Sequence, residues 1–99
     1  MSKDGIRVVA RVNVRTERLV ETLEAVKELV AATRVEAGCI KYEALQNLED
    51  PHEITFVEEW ASSQALDEHF ATDHFKAVAA LSGELFTSAP DIRRYSVFA

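Results

Sequence analysis

This sequence has little cysteine, little positive charge and no long apolar run, and each of these absences excludes a class of protein. Cys39 is the single cysteine among 99 residues, which excludes internal disulfides and a cysteine-rich zinc site. The 11 lysines and arginines are outnumbered by 17 acidic residues, and the net charge of -6 disfavours a nucleic-acid partner. No apolar stretch approaches the roughly 20 residues that cross a bilayer, so we expect no membrane partner.

The overall composition is that of an ordinary folded protein. Hydrophobic residues make up 47% and charged residues 28% of the sequence, which excludes wholesale disorder. Two separate cores would each bury too little surface, so we expect a single domain over residues 1–99. The start, MSKDGIRVV, has no apolar signal segment. Together with the lone cysteine, this start predicts a cytoplasmic protein.

Alternation of apolar and polar residues predicts four strands. The clearest is Ile6–Val14, where one face carries only valine, isoleucine and alanine. The others are Cys39–Asn47, Glu53–Trp60 and Asp91–Phe98. The second and third strands are separated only by a short polar loop around Pro51, so we expect them to pair as a hairpin.

Helical spacing of apolar residues fills the two remaining gaps. Thr16 stands at an N-cap position before a helix that runs to about Ala37, and Gly38 is expected to end it in a left-handed conformation. A serine pair at 62–63 caps the second helical region, and Thr72 caps a further segment within it. The order β-α-β-β-α-β predicts an α+β, ferredoxin-like fold with one antiparallel sheet and both helices on one face.

Helices on one side leave the other face of the sheet uncovered. Three strands contribute to this open face: Arg7, Val9, Arg11, Asn13 and Arg15, then Thr55, Val57 and Glu59, then Arg93, Tyr95 and Val97. Four of these eleven residues are apolar, namely Val9, Val57, Tyr95 and Val97, and such a mixed face suits a subunit interface. We therefore predict a homodimer whose two sheets face each other, with arginines and a glutamate paired across the two-fold axis. The alternative is a monomer with a patchy surface.

The third strand carries the first candidate for chemistry. Phe56, Glu58 and Trp60 point to the same side, which we place toward the helices. A carboxylate between two aromatic residues needs a partner, since burial of an unpaired charge is expensive. We expect that partner to be His69, His74, an arginine or a ligand. Two interpretations stay open. If Glu58 lines a ligand pocket, its pKa is raised and it can transfer protons; if it lies in a packed core, it forms a structural pair with a histidine or an arginine.

The sequence gives little support for a metal site or for a catalytic cysteine. His69 and His74 lie about 140° apart around a continuous helix, so they share no face unless the helix breaks at Thr72. No HExxH motif or cysteine partner accompanies them. Cys39 follows a helix C-terminus, whose dipole raises a thiol pKa. We therefore predict neither a metal site nor a nucleophilic cysteine.

Three motifs together resemble the antibiotic biosynthesis monooxygenase (ABM) domain family. They are EAGCIKY from Glu36 to Tyr42, EEWAS from Glu58 to Ser62, and ALDEHFATDHF from Ala65 to Phe75. With the flanking strands, the resemblance covers nearly the whole chain. It implies a dimeric α+β barrel, in agreement with the predicted strand order, and a pocket between the sheet and helices of each subunit.

The resemblance also implies an activity. Members oxidise quinols or polyketide anthrones with O2, without flavin, haem or metal, and related members degrade a phosphorylated signal molecule. Trp60 matches a pocket tryptophan of the anthrone-oxidising branch, whereas Phe56 and Leu66 replace an asparagine and a tyrosine of that branch. The small quinol monooxygenase branch is therefore the more similar one, and no cofactor is expected.

We therefore expect an enzyme acting on a small aromatic substrate and O2. Glu58, His69 or His74 would remove a phenolic proton, and the resulting anion would pass an electron to O2 in a dry pocket. The expected substrate-binding residues are Trp60, Phe56, Leu66 and Phe75 as walls, with Tyr42 orienting a ligand oxygen. Two alternatives stay open: a non-oxidative isomerase or signal-degrading enzyme of the same fold, and a non-catalytic dimer that binds a small molecule.

Overall fold

A computed structural model describes residues 5–99, so part of the predicted N-terminal start, residues 1–4, lies outside the described residues. Four strands form one antiparallel sheet in the order β2-β3-β1-β4. Their bounds are β1 Ile6–Asn13, β2 Cys39–Gln46, β3 Glu53–Trp60 and β4 Asp91–Tyr95. The β2–β3 hairpin is present as expected.

Helices cover one face of this sheet, which confirms the predicted ferredoxin-like α+β fold. Their bounds are α1 Leu19–Arg34, α2 Ser63–Phe70, α3 Asp73–Ala80 and a short α4 Ser82–Leu85. The long α1 fills the β1–β2 connection, and the three shorter helices fill the β3–β4 connection. The core lies between the two layers, where side chains such as Val8, Leu66 and Trp60 are fully buried.

The predicted ends of the first helix are wrong at both termini. Thr16 lies in a single 3₁₀ turn, Thr16–Arg18, and α1 begins at Leu19 without a side-chain cap. The helix ends at Arg34 rather than near Ala37. Thr16 has the residue type of an N-cap but does not cap α1, and apolar residues continue past Arg34 as Val35 and Ala37, so the helix was predicted too long at both ends.

Gly38 is needed for a different reason from the one predicted. Its φ is not positive, so it is not a left-handed helix cap. A Cβ at this position would lie 2.2 Å from the Cβ of Ala65, which is far inside contact distance. Glycine is therefore required because the segment after α1 passes directly against α2.

The break in the second helical region lies where the sequence predicts it. Ser62 caps α2 by accepting a hydrogen bond from the backbone N–H of Ala65 at 3.1 Å. Thr72 caps α3 in the same way, accepting from Phe75 N at 3.2 Å, and its hydroxyl donates to the carbonyl of His69 at 2.7 Å. These bonds turn the chain between two eight-residue helices.

The strand register confirms the assignment of the two sheet faces. Ala10 pairs with Phe56 and Val8 pairs with Glu58 across β1 and β3, so these residues share the helix-covered face. On the open face Val9 pairs with Arg93 across β1 and β4. A few predicted members lie off this face, since β4 ends before Val97 and Arg15 lies beyond β1, donating to the carbonyl of Gly83.

Candidate active site

A cavity of about 250 Å³ lies between the helix-covered face of the sheet and the helices. It exceeds the roughly 150 Å³ that accommodates benzene in an engineered protein core. Its walls are mainly apolar: Ala10, Val12, Val26, Leu29, Phe56, Phe70, Phe75, Val78, Ala79, Phe86, Pro90 and Ile92. Four polar side chains also line it, namely Tyr42, Glu58, His69 and Ser82. A small aromatic ligand fits this size and lining.

Glu58 is a buried carboxyl group on the wall of this cavity. Its side chain projects from β3 and is only 5% exposed. The expected partners of this carboxyl were His69, His74, an arginine or a ligand; instead, the indole N–H of Trp60 donates to Glu58 Oε1 at 2.8 Å. Burial raises the pKa of Glu58 to about 7, with a further rise from the charge of Glu36, against the opposing Trp60 bond. Near neutral pH both protonation states are therefore populated.

A second polar cluster joins two histidines to Glu36. His69 Nδ1–H donates to Glu36 Oε2 at 2.8 Å, and His74 Nε2–H donates to the same oxygen at 2.6 Å. Burial lowers the pKa of His69, the hydrogen bond and charge of Glu36 oppose that shift, and His74 adds to it. His69 is therefore a neutral imidazole held by a carboxylate, with Nε2 left as its acceptor nitrogen.

The break at Thr72 explains why the two histidines meet. His69 lies in the last turn of α2 and His74 in the first turn of α3. Their ring centroids are 6.1 Å apart, although a continuous helix would place them on different faces. The capping bonds of Thr72 thus assemble the cluster.

Tyr42 joins the cavity wall to the histidine. Its ring on β2 lies 5.7 Å from Phe56, 6.3 Å from Trp60 and 5.5 Å from His69, measured between centroids. Burial, with the charge of Glu58 as the next contribution, raises the pKa of the Tyr42 phenol. The hydroxyl therefore stays protonated at neutral pH and can donate to a ligand oxygen.

The remaining predicted site residues lie around the cavity rather than on it. Trp60 and Leu66 are fully buried and do not line it; Trp60 instead contacts Glu58 and stacks at 4.7 Å on His69. His74 also lies off the wall and contacts Glu36. Glu58, His69, Tyr42, Phe56 and Phe75 do line the cavity.

Comparison with known proteins gives the family. Residues 5–81 match the family model described as antibiotic biosynthesis monooxygenase. The chain belongs to this ABM family. The Mycobacterium tuberculosis (strain ATCC 25618 / H37Rv) protein named "Putative monooxygenase Rv0793" is 30% identical over 82 residues, which are 83% of this ABM chain and 80% of that protein. The predicted resemblance is confirmed.

Solved structures share the fold of this ABM chain. A conserved protein from Methanosarcina mazei Go1 is 38% identical, with a TM-score of 0.87 over 93% of this chain and 91% of that one. The structure of Rv0793 from Mycobacterium tuberculosis gives a TM-score of 0.90 at 25% identity, covering 96% of both chains. A crystal structure named antibiotic biosynthesis monooxygenase gives 0.90 at 29% identity over 95% of this chain and 99% of that one.

Sequence reasoning missed several residues of the ABM site. Glu36 stood in the EAGCIKY motif, but no local pattern showed that it would reach two histidines more than thirty positions away. Val78 and Phe86 also line the cavity. The only signal for Val78 was an apolar helical stripe, and Phe86 follows α4 in extended backbone that bridges to Val14, which no local pattern showed. Within residues 5–99, no helix is both long enough and apolar enough to cross a membrane.

Proposed function

We propose that this ABM protein is a cofactor-independent monooxygenase that oxidises a small quinol or related hydroxylated aromatic with O2. Family membership supports the monooxygenase class. The single observation that carries the proposal is the carboxyl group of Glu58, which lines a mainly apolar cavity and has a pKa raised to about 7. A general base works best when its pKa lies near the working pH.

Glu58 is the proposed base of the reaction. Its carboxylate removes the proton of a phenolic hydroxyl, and the electron-rich phenolate passes one electron to O2 within the apolar walls. Recombination forms a peroxide on the ring. Glu58 returns its proton to the outer peroxide oxygen, and the O–O bond breaks as the ring carbon loses its hydrogen as a proton. The inner oxygen stays on that carbon as a carbonyl, and the departing oxygen takes up the second proton and leaves as water. A dihydroxyarene and O2 thus give a hydroxyquinone and water, and the substrate supplies all the electrons.

Two neighbouring groups are proposed to hold the substrate. The neutral His69 offers Nε2 as a hydrogen-bond acceptor, because Nδ1–H is committed to Glu36. Tyr42 offers a phenolic donor, and Phe56 and Phe75 offer ring faces for stacking. His74, which contacts Glu36 rather than the cavity, is a positioning residue in this scheme, as Trp60 is for Glu58.

The cavity volume supports a small substrate. The volume of about 250 Å³ lies just below the roughly 300–1,000 Å³ that is usual for ligand pockets. One ring, or two fused rings, fits that volume, whereas a four-ring polyketide needs considerably more. The small volume favours a quinol over an anthrone. Phe56 and Leu66 agree with this, because they replace an asparagine and a tyrosine of the anthrone-oxidising branch.

Oxygen consumption with a panel of reduced quinones tests the proposal. We expect uptake of one O2 per product formed, and none in anaerobic controls. Glu58→Gln, which keeps the size of the side chain and loses the base, should lower turnover by roughly 10²–10⁴-fold. The matched Glu68→Gln on the exposed side of α2 should leave turnover unchanged. No uptake with any quinol would refute the proposal. Product formed without O2 would assign the same cavity to the non-oxidative isomerase instead.

We also propose that two copies associate through the open sheet face, in a reducing cytoplasm that keeps Cys39 free. Val9 lies at the centre of this face, and Tyr95 beside it is 47% exposed. Arg7 pairs with Glu59 of its own sheet at 3.5 Å, so the charges on the face are partly satisfied before association. Sedimentation should give a dimer for the wild type and a monomer for Val9→Asp. A monomeric wild type would refute this part.

A further inference from the structure

The cluster of Glu36, His69 and His74 is not used by the proton transfer assigned to Glu58. The three side chains come from the α1–β2 connection, the end of α2 and the start of α3. Their exposures rise from 1% for His69 through 14% for Glu36 to 27% for His74, so the cluster leads from the core to the surface. An ion from solvent can therefore reach it.

We propose that Glu36 Oε2, His69 Nδ1 and His74 Nε2 bind one divalent transition-metal ion of the Zn²⁺ type. The ligand atoms of the three side chains all lie within 4.8 Å of one another. Bond lengths of about 2.0–2.2 Å place neighbouring ligands of tetrahedral zinc roughly 3.3 Å apart. The two histidine–glutamate contacts, at 2.8 and 2.6 Å, are shorter than that, so the side chains must rotate apart by about half an ångström to admit an ion.

The ligand chemistry selects the class of metal. Two imidazole nitrogens and one carboxylate oxygen suit zinc and other first-row transition ions, whereas calcium and magnesium prefer oxygen ligands throughout. Three protein ligands leave a coordination position for water or a small ligand. Proton removal by Glu58 does not require this ion. Zn²⁺ on Nδ1 would leave the proton of His69 on Nε2, so in the metal-bound protein His69 would donate to a substrate oxygen rather than accept from it.

Backbone packing preorganises the three ligands. The close approach of Gly38 to Ala65 fixes the Glu36 segment against α2. Thr72 fixes the turn between the two histidines through its bonds to His69 O and Phe75 N. A site held in this way needs little reorganisation when the metal enters, which favours tight binding.

Calorimetric titration of tag-free protein with ZnCl2, without substrate, tests the site. We expect one Zn²⁺ per chain. His74→Ala and Glu36→Gln should each weaken binding by more than the roughly 10–100-fold that loss of an outer-shell partner costs. His52→Ala is the matched control, since His52 also lies beside an acid, Asp50 at 3.4 Å, but has no second histidine. The affinity of His52→Ala for Zn²⁺ should equal that of the wild type.

Circular dichroism establishes that each variant is folded, and a crystal soaked in ZnCl2 gives a second readout that needs no variant. An anomalous peak between the three named atoms would support the proposal. A folded wild type that binds no Zn²⁺, or binds it equally well after both ligand substitutions, would overturn it. Such a result would make the cluster a hydrogen-bond network only and would leave the oxygenase proposal untouched.

Discussion

Substitution of Glu58 by glutamine should stabilise the protein, and the gain should depend on pH. Burial raises the pKa of Glu58 from 4.5 to about 7, which means that folding disfavours its charged form. Each pKa unit corresponds to about 1.4 kcal/mol, so ionised Glu58 costs the folded state about 3 kcal/mol. Because the folded-state pKa is the higher one, the wild type has its full stability below pH 4.5 and loses this amount as the pH rises through 7. Glutamine keeps an oxygen that accepts the Trp60 bond and has no charge to bury.

Denaturant unfolding followed by fluorescence of Trp60, the single tryptophan, measures this difference directly. At fixed protein concentration, Glu58→Gln and wild type should have similar unfolding free energies near pH 4.5 and differ by about 3 kcal/mol above pH 7. Glu68→Gln, with an exposed carboxyl, should show no such trend. A difference that stays constant with pH would refute the reasoning, because it would mean that Glu58 is not held in a charge-disfavouring site.

Three further substitutions test the packing around the cavity. Gly38→Ala should destabilise the fold by about 1–3 kcal/mol in thermal or denaturant unfolding, because the new methyl group overlaps Ala65; an unchanged midpoint would contradict the close approach. Thr72→Ala should cost about 1 kcal/mol through loss of the α3 cap, and equal stability would mean that the cap contributes nothing. Ala10→Leu should fill part of the cavity and prevent binding of a quinol in calorimetry while the protein stays folded; undiminished binding would place the ligand elsewhere.

The architecture was predictable from the sequence because its signals are local. Alternation in Ile6–Val14 and Glu53–Trp60 identified the strands and their buried faces, and threonine at 72 identified the break between α2 and α3. The register of β1 against β3 then placed Phe56 and Glu58 where the alternation had put them.

The polar contacts of the site were not predictable, since they depend on distances that only the fold determines. Glu36 meets His69 and His74 through the meeting of three separate elements. Glu58 and Trp60 were placed on one face, yet the direct bond between them depends on the side-chain conformations of both. Gly38 carried a typical helix-end signal, and the true reason for glycine there is a contact with Ala65, 27 positions later in the sequence.

The pH dependence of kcat/KM for O2 consumption, corrected for spontaneous quinol oxidation, tests the central claim that Glu58 is the base in the cavity. In the wild type kcat/KM should rise with pH and level off above a pKa near 7, because only the ionised carboxylate accepts the phenolic proton. In Glu58→Gln the rate should be lower by roughly 10²–10⁴-fold and this transition should disappear. The same transition and the same rate in both proteins would contradict the account.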